Sequence, residues 1–152
     1  MQLILTLGFF SLFVVNGHSA TYTTISNGNY NDCSIWDIGC PNNTIQSGDT
    51  VIINHAVSAS SSVDIDGVLI INATGSYSNN NDITLNIDGI VENFGSVNVT
   101  AEFHLDGTVY NSGVLIFKVV HNDGYICNSG SIETTEYFWI HRLFFKIEQW
   151  KS

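Results

Sequence analysis

A parallel β-solenoid is the all-β fold class that this sequence predicts, on a repeat of 17–18 residues, a period-two alternation within it, and glycines where the chain must turn. Three segments align without gaps: Asp88-Gly89-Ile90-Val91-Glu92-Asn93-Phe94-Gly95, Asp106-Gly107-Thr108-Val109-Tyr110-Asn111-Ser112-Gly113 and Asp123-Gly124-Tyr125-Ile126-Cys127-Asn128-Ser129-Gly130. Their first glycines are 107 − 89 = 18 and 124 − 107 = 17 residues apart. Between the copies apolar residues alternate with polar ones, as in Val97, Val99, Phe103 and Leu105, which is the period of a half-buried strand. Each period therefore holds about three short strands with Gly or Asp-Gly corners. Short strands that all run one way cannot close as hairpins. They coil, each turn stacked on the last at about 4.8 Å. About three to four coils are expected by this count.

The elements follow in chain order. Residues 3–15 are an almost unbroken apolar run followed by Gly17-His18-Ser19-Ala20; this reads as a signal peptide over residues 1–19, with no Lys or Arg ahead of it. It is too short for a membrane span, which needs about 20 apolar residues. Residues 20–46 are expected as an irregular entry segment or cap. Cys33 and Cys40 lie seven apart in it, beside Trp36, Gly39 and Pro41. A disulfide there would close a loop worth about 2.5 kcal/mol on the chain-entropy estimate; the alternative is two unpaired thiols. Cys127 is left over as a buried filler, a free thiol or an intermolecular partner.

The solenoid is expected over residues 47–136. A looser copy, Asp66-Gly67 to Asn72 and Gly75, precedes the three clear ones at a spacing of 89 − 67 = 22, and the excess is placed in the polar loop Ser78-Asn79-Asn80-Asn81-Asp82. The corner glycines Gly67, Gly89, Gly95, Gly107, Gly113, Gly124 and Gly130 are read as supplying positive φ, with each preceding Asp accepting turn amides. Asn93, Asn111 and Asn128 share parity with Val91, Val109 and Ile126 and should stack inward as an amide ladder. The inward columns take Ile87, Val91, Val97, Val99, Phe103, Leu105, Val109, Leu115, Ile126 and Ile132. Residues 137–152 leave the repeat and carry three of the four cations. Three readings fit them: an amphipathic helix capping the stack, with Ile140, Leu143, Phe144 and Ile147 at helical spacing, a membrane-surface helix, or the altered end of a fragment.

The order Trp36, Pro41, Ser47-Gly48-Asp49-Thr50-Val51-Ile52-Ile53 and Val63-Asp64-Ile65-Asp66-Gly67-Val68-Leu69-Ile70 resembles the start of G8-like domains. It is similar, too, to right-handed parallel β-helix modules of secreted and cell-surface proteins, including the front of large adhesin-like proteins. The resemblance covers about residues 30–132. It implies a right-handed coil and an extracellular scaffold, often one part of a longer chain whose further coils lie downstream, with no fixed catalytic set. This chain is shorter than such proteins and carries no recognisable sorting domain.

Composition narrows the partners. The formal net charge is −10, and the cations are Lys118, Arg142, Lys146 and Lys151. Phosphate binding needs clustered cations, so nucleic acid is excluded as a partner and anionic surfaces are disfavoured. Other surface proteins and neutral glycans remain. His104 and His121 share a column two residues before Asp106 and Asp123. Stacked turns would bring these four near enough to share a metal, although two surface histidines, repeated because the coil repeats, explain the pattern more simply. The column Asp66, Asp88, Asp106, Asp123 poses the same question for calcium, which would relieve its repulsion. No cofactor is otherwise called for. A polysaccharide lyase would want cations that the repeat lacks, while a glycosidase would need paired carboxylates such as Asp64 with Asp66 or Glu92 with Asp106. A flat ice-binding face would need regular Thr columns, and Ile90/Glu92, Thr108/Tyr110 and Tyr125/Cys127 are mixed. Asn42, Asn72 and Asn98 begin Asn-x-Thr triplets, with Asn72 expected to face inward. The sequence thus leads to a secreted or cell-surface structural, adhesion-type module without its own catalysis, with a fragment of a carbohydrate-active β-helix protein as the rival.

Overall fold

The computed structural model describes residues 19–79 and 85–140, and among these the side chains of all but 119, 120 and 136–140. Of the described residues, 59% are strand. Among the described residues fifteen strands succeed one another: β1 (Thr21–Thr23), β2 (Gly28–Asn29), β3 (Thr44–Ile45), β4 (Thr50–Ile53), β5 (Ala56–Ala59), β6 (Val63–Ile65), β7 (Val68–Ile71), β8 (Ser76–Asn79), β9 (Leu85–Ile87), β10 (Ile90–Asn93), β11 (Ser96–Leu105), β12 (Thr108–Asn111), β13 (Val114–Asn122), β14 (Tyr125–Asn128) and β15 (Ser131–Ile140). All strand pairs among the described residues are parallel. The molecule is a parallel β-solenoid of about five turns. Three to four were expected, because the earliest turns carry neither the Asp-Gly nor the Asn signature and are invisible to a repeat count.

One flank is the sheet β1-β4-β7-β10-β12-β14. The other begins as two columns, β2-β5-β8 and β3-β6-β9, which join on the long strand β11 and continue through β13 and β15. The corner expected between the second and third strand of each turn is thus replaced, in later turns, by a bulge inside one strand. In β11 the two residues Thr100 and Ala101 stand where β13 has Lys118 alone, between the pairs Val99↔Phe117 and Glu102↔Val119. A bulge of this kind bends the strand and locally disrupts the ladder; buried and outward positions still alternate along β11, and Ala101, buried and small, sits at the bend. The extra residue also accounts for the step from an 18-residue to a 17-residue period.

The longer spacing between Gly67 and Gly89 has two sources. Register runs Ile71↔Asn93 and then Ser76↔Ser96, so the corner 72–75 is two residues longer than the corner 94–95. Register then runs Asn79↔Val99 and Leu85↔Phe103, which places two further residues in 80–84. Residues 80–84 lie outside the described ones; Ser78 and Asn79, expected in the loop, are the end of β8. The same offset corrects Asn72. It is not in the inward column, where Ile71 stands; it lies half-buried at the corner, its Nδ2 donating to Asn54 Oδ1 at 2.6 Å.

Inside, each turn contributes alternate side chains to one core: Val51, Ile53, Val57, Ile65, Leu69, Ile71, Val91, Val97, Phe103, Val109, Leu115, Phe117 and Ile126 are buried. Ile132, at the last turn, is only partly so. Burying each of these contributes roughly 1.5–3 kcal/mol. Asn93 Nδ2 donates to Asn111 Oδ1 at 2.7 Å, and Asn111 Nδ2 to Asn128 Oδ1 at 2.6 Å. Gly95 N–H donates to Asn93 Oδ1, and Asn128 Nδ2 to Gly130 O, so the ladder is tied to backbone at both ends.

The corner glycines serve a different purpose from the one expected. Positive φ is found at Gly39 (103°) and Gly48 (96°), not at Gly67, Gly89, Gly95, Gly107, Gly113, Gly124 or Gly130. What the columns require is the missing Cβ. A Cβ on Gly107 would run into the carbonyl oxygen of Gly89, and one on Gly113 into that of Gly95. Among the described residues no turn amide donates to the corner carboxylates of Asp66, Asp88 or Asp106. The corner is closed by backbone: Asp106 N–H and Gly107 N–H both donate to Ile87 O (2.9 and 2.7 Å), a pattern repeated at Asp88-Gly89 and Asp123-Gly124.

Residues 20–46, expected as an irregular entry, provide β1, β2 and β3, which pair on β4, β5 and β6. The irregular part is the insertion between β2 and β3. It holds a short 3-10 turn, Cys33–Ile35, capped by the Asp32 carboxylate, and the disulfide Cys33–Cys40. Trp36 Nε1 donates to Tyr30 O at 2.9 Å, and the two rings meet edge to face. At the other end, residues 137–140 continue β15 as strand, which removes the start of the expected helix over 137–152; residues 141–152 lie outside the described ones, as does the expected signal peptide through residue 18. Among the described residues no helix is long and apolar enough to cross a membrane.

Candidate functional surface

Alternation places every second residue of a strand on the outer face, and parallel stacking puts equivalent residues in line. On the second sheet this builds the outward row Thr44, Asp64, Asn86, His104, His121, from registers Thr44↔Asp64, Asp64↔Asn86, Asn86↔His104 and His104↔His121. Asn86 Nδ2 donates to Asp64 Oδ1 at 2.5 Å. Beside this row runs the corner row Asp66, Asp88, Asp106 and Asp123, all exposed. The two rows enclose a shallow groove lined by Thr44, Asp64, Asp66, Asn86, Asp88, His104 and Asp106.

The paired carboxylates considered from sequence are separated by this geometry. Asp64, Asp66 and Asp106 share the groove. Glu92 does not: it belongs to the first sheet, in register with Ile70 and Tyr110. The outer row there, Ile70, Glu92, Tyr110 and Cys127, is mixed in chemistry. Cys127 is half-buried and carries no disulfide.

His104 and His121 are stacked, with ring centroids 4.8 Å apart and planes 17° from parallel. The partner that joins them is Glu102, whose Oε2 lies 3.2 Å from His104 Nε2. Ligand atoms of Glu102, His104 and His121 all lie within 4.8 Å of one another, whereas Asp106 and Asp123 do not enter this cluster. Glu102 went unnoticed in the sequence although the signal was there. It stands two residues before His104, on the same outer face of β11.

No family model, curated protein or solved structure matches the chain.

Proposed function

We propose that this chain is a secreted or cell-surface structural module of adhesion type, holding an extended partner along its outer rows rather than transforming a substrate. The observation that carries this reading is the row Thr44, Asp64, Asn86, His104, His121 with the corner aspartates beside it: polar groups presented at the regular spacing of the turns. A face of this kind suits an extended ligand, because each turn adds a polar contact at the same spacing and weak contacts sum. The net charge of −10 selects neutral or cationic partners. Neutral glycans and other surface proteins meet that condition. The disulfide Cys33–Cys40 supports an oxidising compartment, and the apolar run at residues 3–15 supports export. The resemblance of residues 30–71 to G8-like entry segments supports an extracellular, right-handed module.

Two measurements test this reading. Expression of the full chain should release a protein whose N-terminus begins near Ala20, and the labelled product should bind a neutral glycan array or whole cells. Binding should weaken when Asp64 and Asn86 are replaced by alanine. Retention in the cytoplasm, or binding indifferent to the groove, would contradict it.

A second reading is favoured by one observation, the convergence of Asp64, Asp66, Asp88 and Asp106 in one groove. Paired carboxylates are the equipment of glycoside hydrolysis. Release of reducing ends from a polysaccharide panel, abolished by Asp64→Asn or Asp66→Asn, would establish a carbohydrate-active protein in place of a binding module.

A further inference from the structure

We propose that Glu102, His104 and His121 form a transition-metal site of the zinc class on the outer face of the second sheet. The site shares His104 and His121 with the outer row of the surface-module reading but does not rest on that reading, and zinc binding tests it separately. Its construction follows from the fold. Glu102 and His104 are i and i+2 on β11 and so share a face, while the register His104↔His121 sets the second imidazole directly on the first. The side chains are outward and partly exposed, His104 at 40% and Glu102 at 57%.

Two imidazole nitrogens and one carboxylate oxygen are the ligand set of borderline cations, with zinc bound at about 2.0–2.2 Å. The donor atoms lie within 4.8 Å of one another; around a tetrahedral zinc they would stand roughly 3.3 Å apart. Closing that difference takes side-chain rotation alone, which partly exposed groups can make. A divalent cation would replace the contact between Glu102 Oε2 and His104 Nε2. Water would complete the coordination at the fourth position, where it can be exchanged. The carboxylates that line the adjoining groove with His104, namely Asp64, Asp66, Asp88 and Asp106, supply a negative field that draws a cation to this edge.

Calorimetric titration of the full secreted chain with zinc chloride tests the proposal. Saturable binding near one ion per chain is expected. His104→Gln and His121→Gln should each weaken it by at least about tenfold, Glu102→Gln by a smaller factor. His55→Gln should leave it unchanged, since His55 sits apart, hydrogen-bonded to Thr24. Absence of saturable heat, or full affinity in both imidazole variants, would overturn it. Should either imidazole variant fail to fold, Glu102→Gln still decides, because unaltered zinc affinity in that exposed-site variant would overturn the site as drawn.

Discussion

The Tyr77 hydroxyl is buried on the inner side of β8 and finds no hydrogen-bond partner among the described residues; Asn122 Oδ1 is the other such atom. A buried hydroxyl left unpaired costs about 1–3 kcal/mol. Tyr77→Phe keeps the ring and removes the conflict, so it should stabilise the fold by about 1 kcal/mol and raise Tm by roughly 2–4 °C. A fall in Tm measured by differential scanning calorimetry would show that the hydroxyl is paired. Burial also pushes the Tyr77 hydroxyl well above its ordinary value of 10.0. Burial does the same at Tyr30, with smaller contributions from Tyr77 and Tyr22. Both folded values are raised, so the stability these groups contribute is fully present below pH 10.0 and is lost as pH rises beyond it. Each would take away about 1.4 kcal/mol per pH unit in that range. Alkaline denaturant titrations should therefore steepen above pH 10, with the slope halved in Tyr77→Phe.

Among the elements, the columns matter more than any single strand. Asn111 is the middle rung of the ladder, bonded to Asn93 on one side and Asn128 on the other. Asn111→Ala should cost about 1–3 kcal/mol by stranding its neighbours' polar atoms, read as a lowered midpoint in urea. Gly107→Ala should be as damaging or worse, because the new methyl meets Gly89 and Asp88 backbone rather than a side chain that can move; overpacking of this kind costs about 1–3 kcal/mol or more. Asp106→Asn, one residue earlier and exposed, should stay within about 0.5 kcal/mol. The contrast separates the corner's real constraint from its apparent one. Parity alone located the Asn column and the inward apolar residues, because side-chain direction in a strand depends only on local alternation. The reason for the glycines was not legible. It lies in a carbonyl one turn below, and a contact between turns leaves no trace in the residue's own neighbours. Asn72 was misplaced for a related reason: two extra corner residues shift the column, and only register reveals them.

For the whole molecule, the repeat disclosed the middle turns and hid the first. Tyr30, Ile35, Trp36 and Ile45 are buried in the opening turn, yet nothing in that stretch repeats, since it must bend around the Cys33–Cys40 loop instead of copying its neighbours. The outer surface was legible in half. His104 and His121 were paired by the repeat, while Glu102, which completes their cluster, belongs to no repeated column and emerges only from the face it shares with His104. The groove unites Asp64 with the whole corner row of Asp66, Asp88 and Asp106, where the sequence suggested only the pair Asp64 with Asp66. The core columns, the Asn ladder and the outer rows all depend on parallel, in-register stacking. Backbone NOEs in an isotope-labelled sample test it most directly. Interstrand amide-to-α contacts should link the neighbourhoods of Val91 and Val109, and of Val109 and Ile126, the pairs the register requires. α-to-α contacts between sequence-adjacent strands, the mark of antiparallel hairpins, would contradict the solenoid and everything built on its surface.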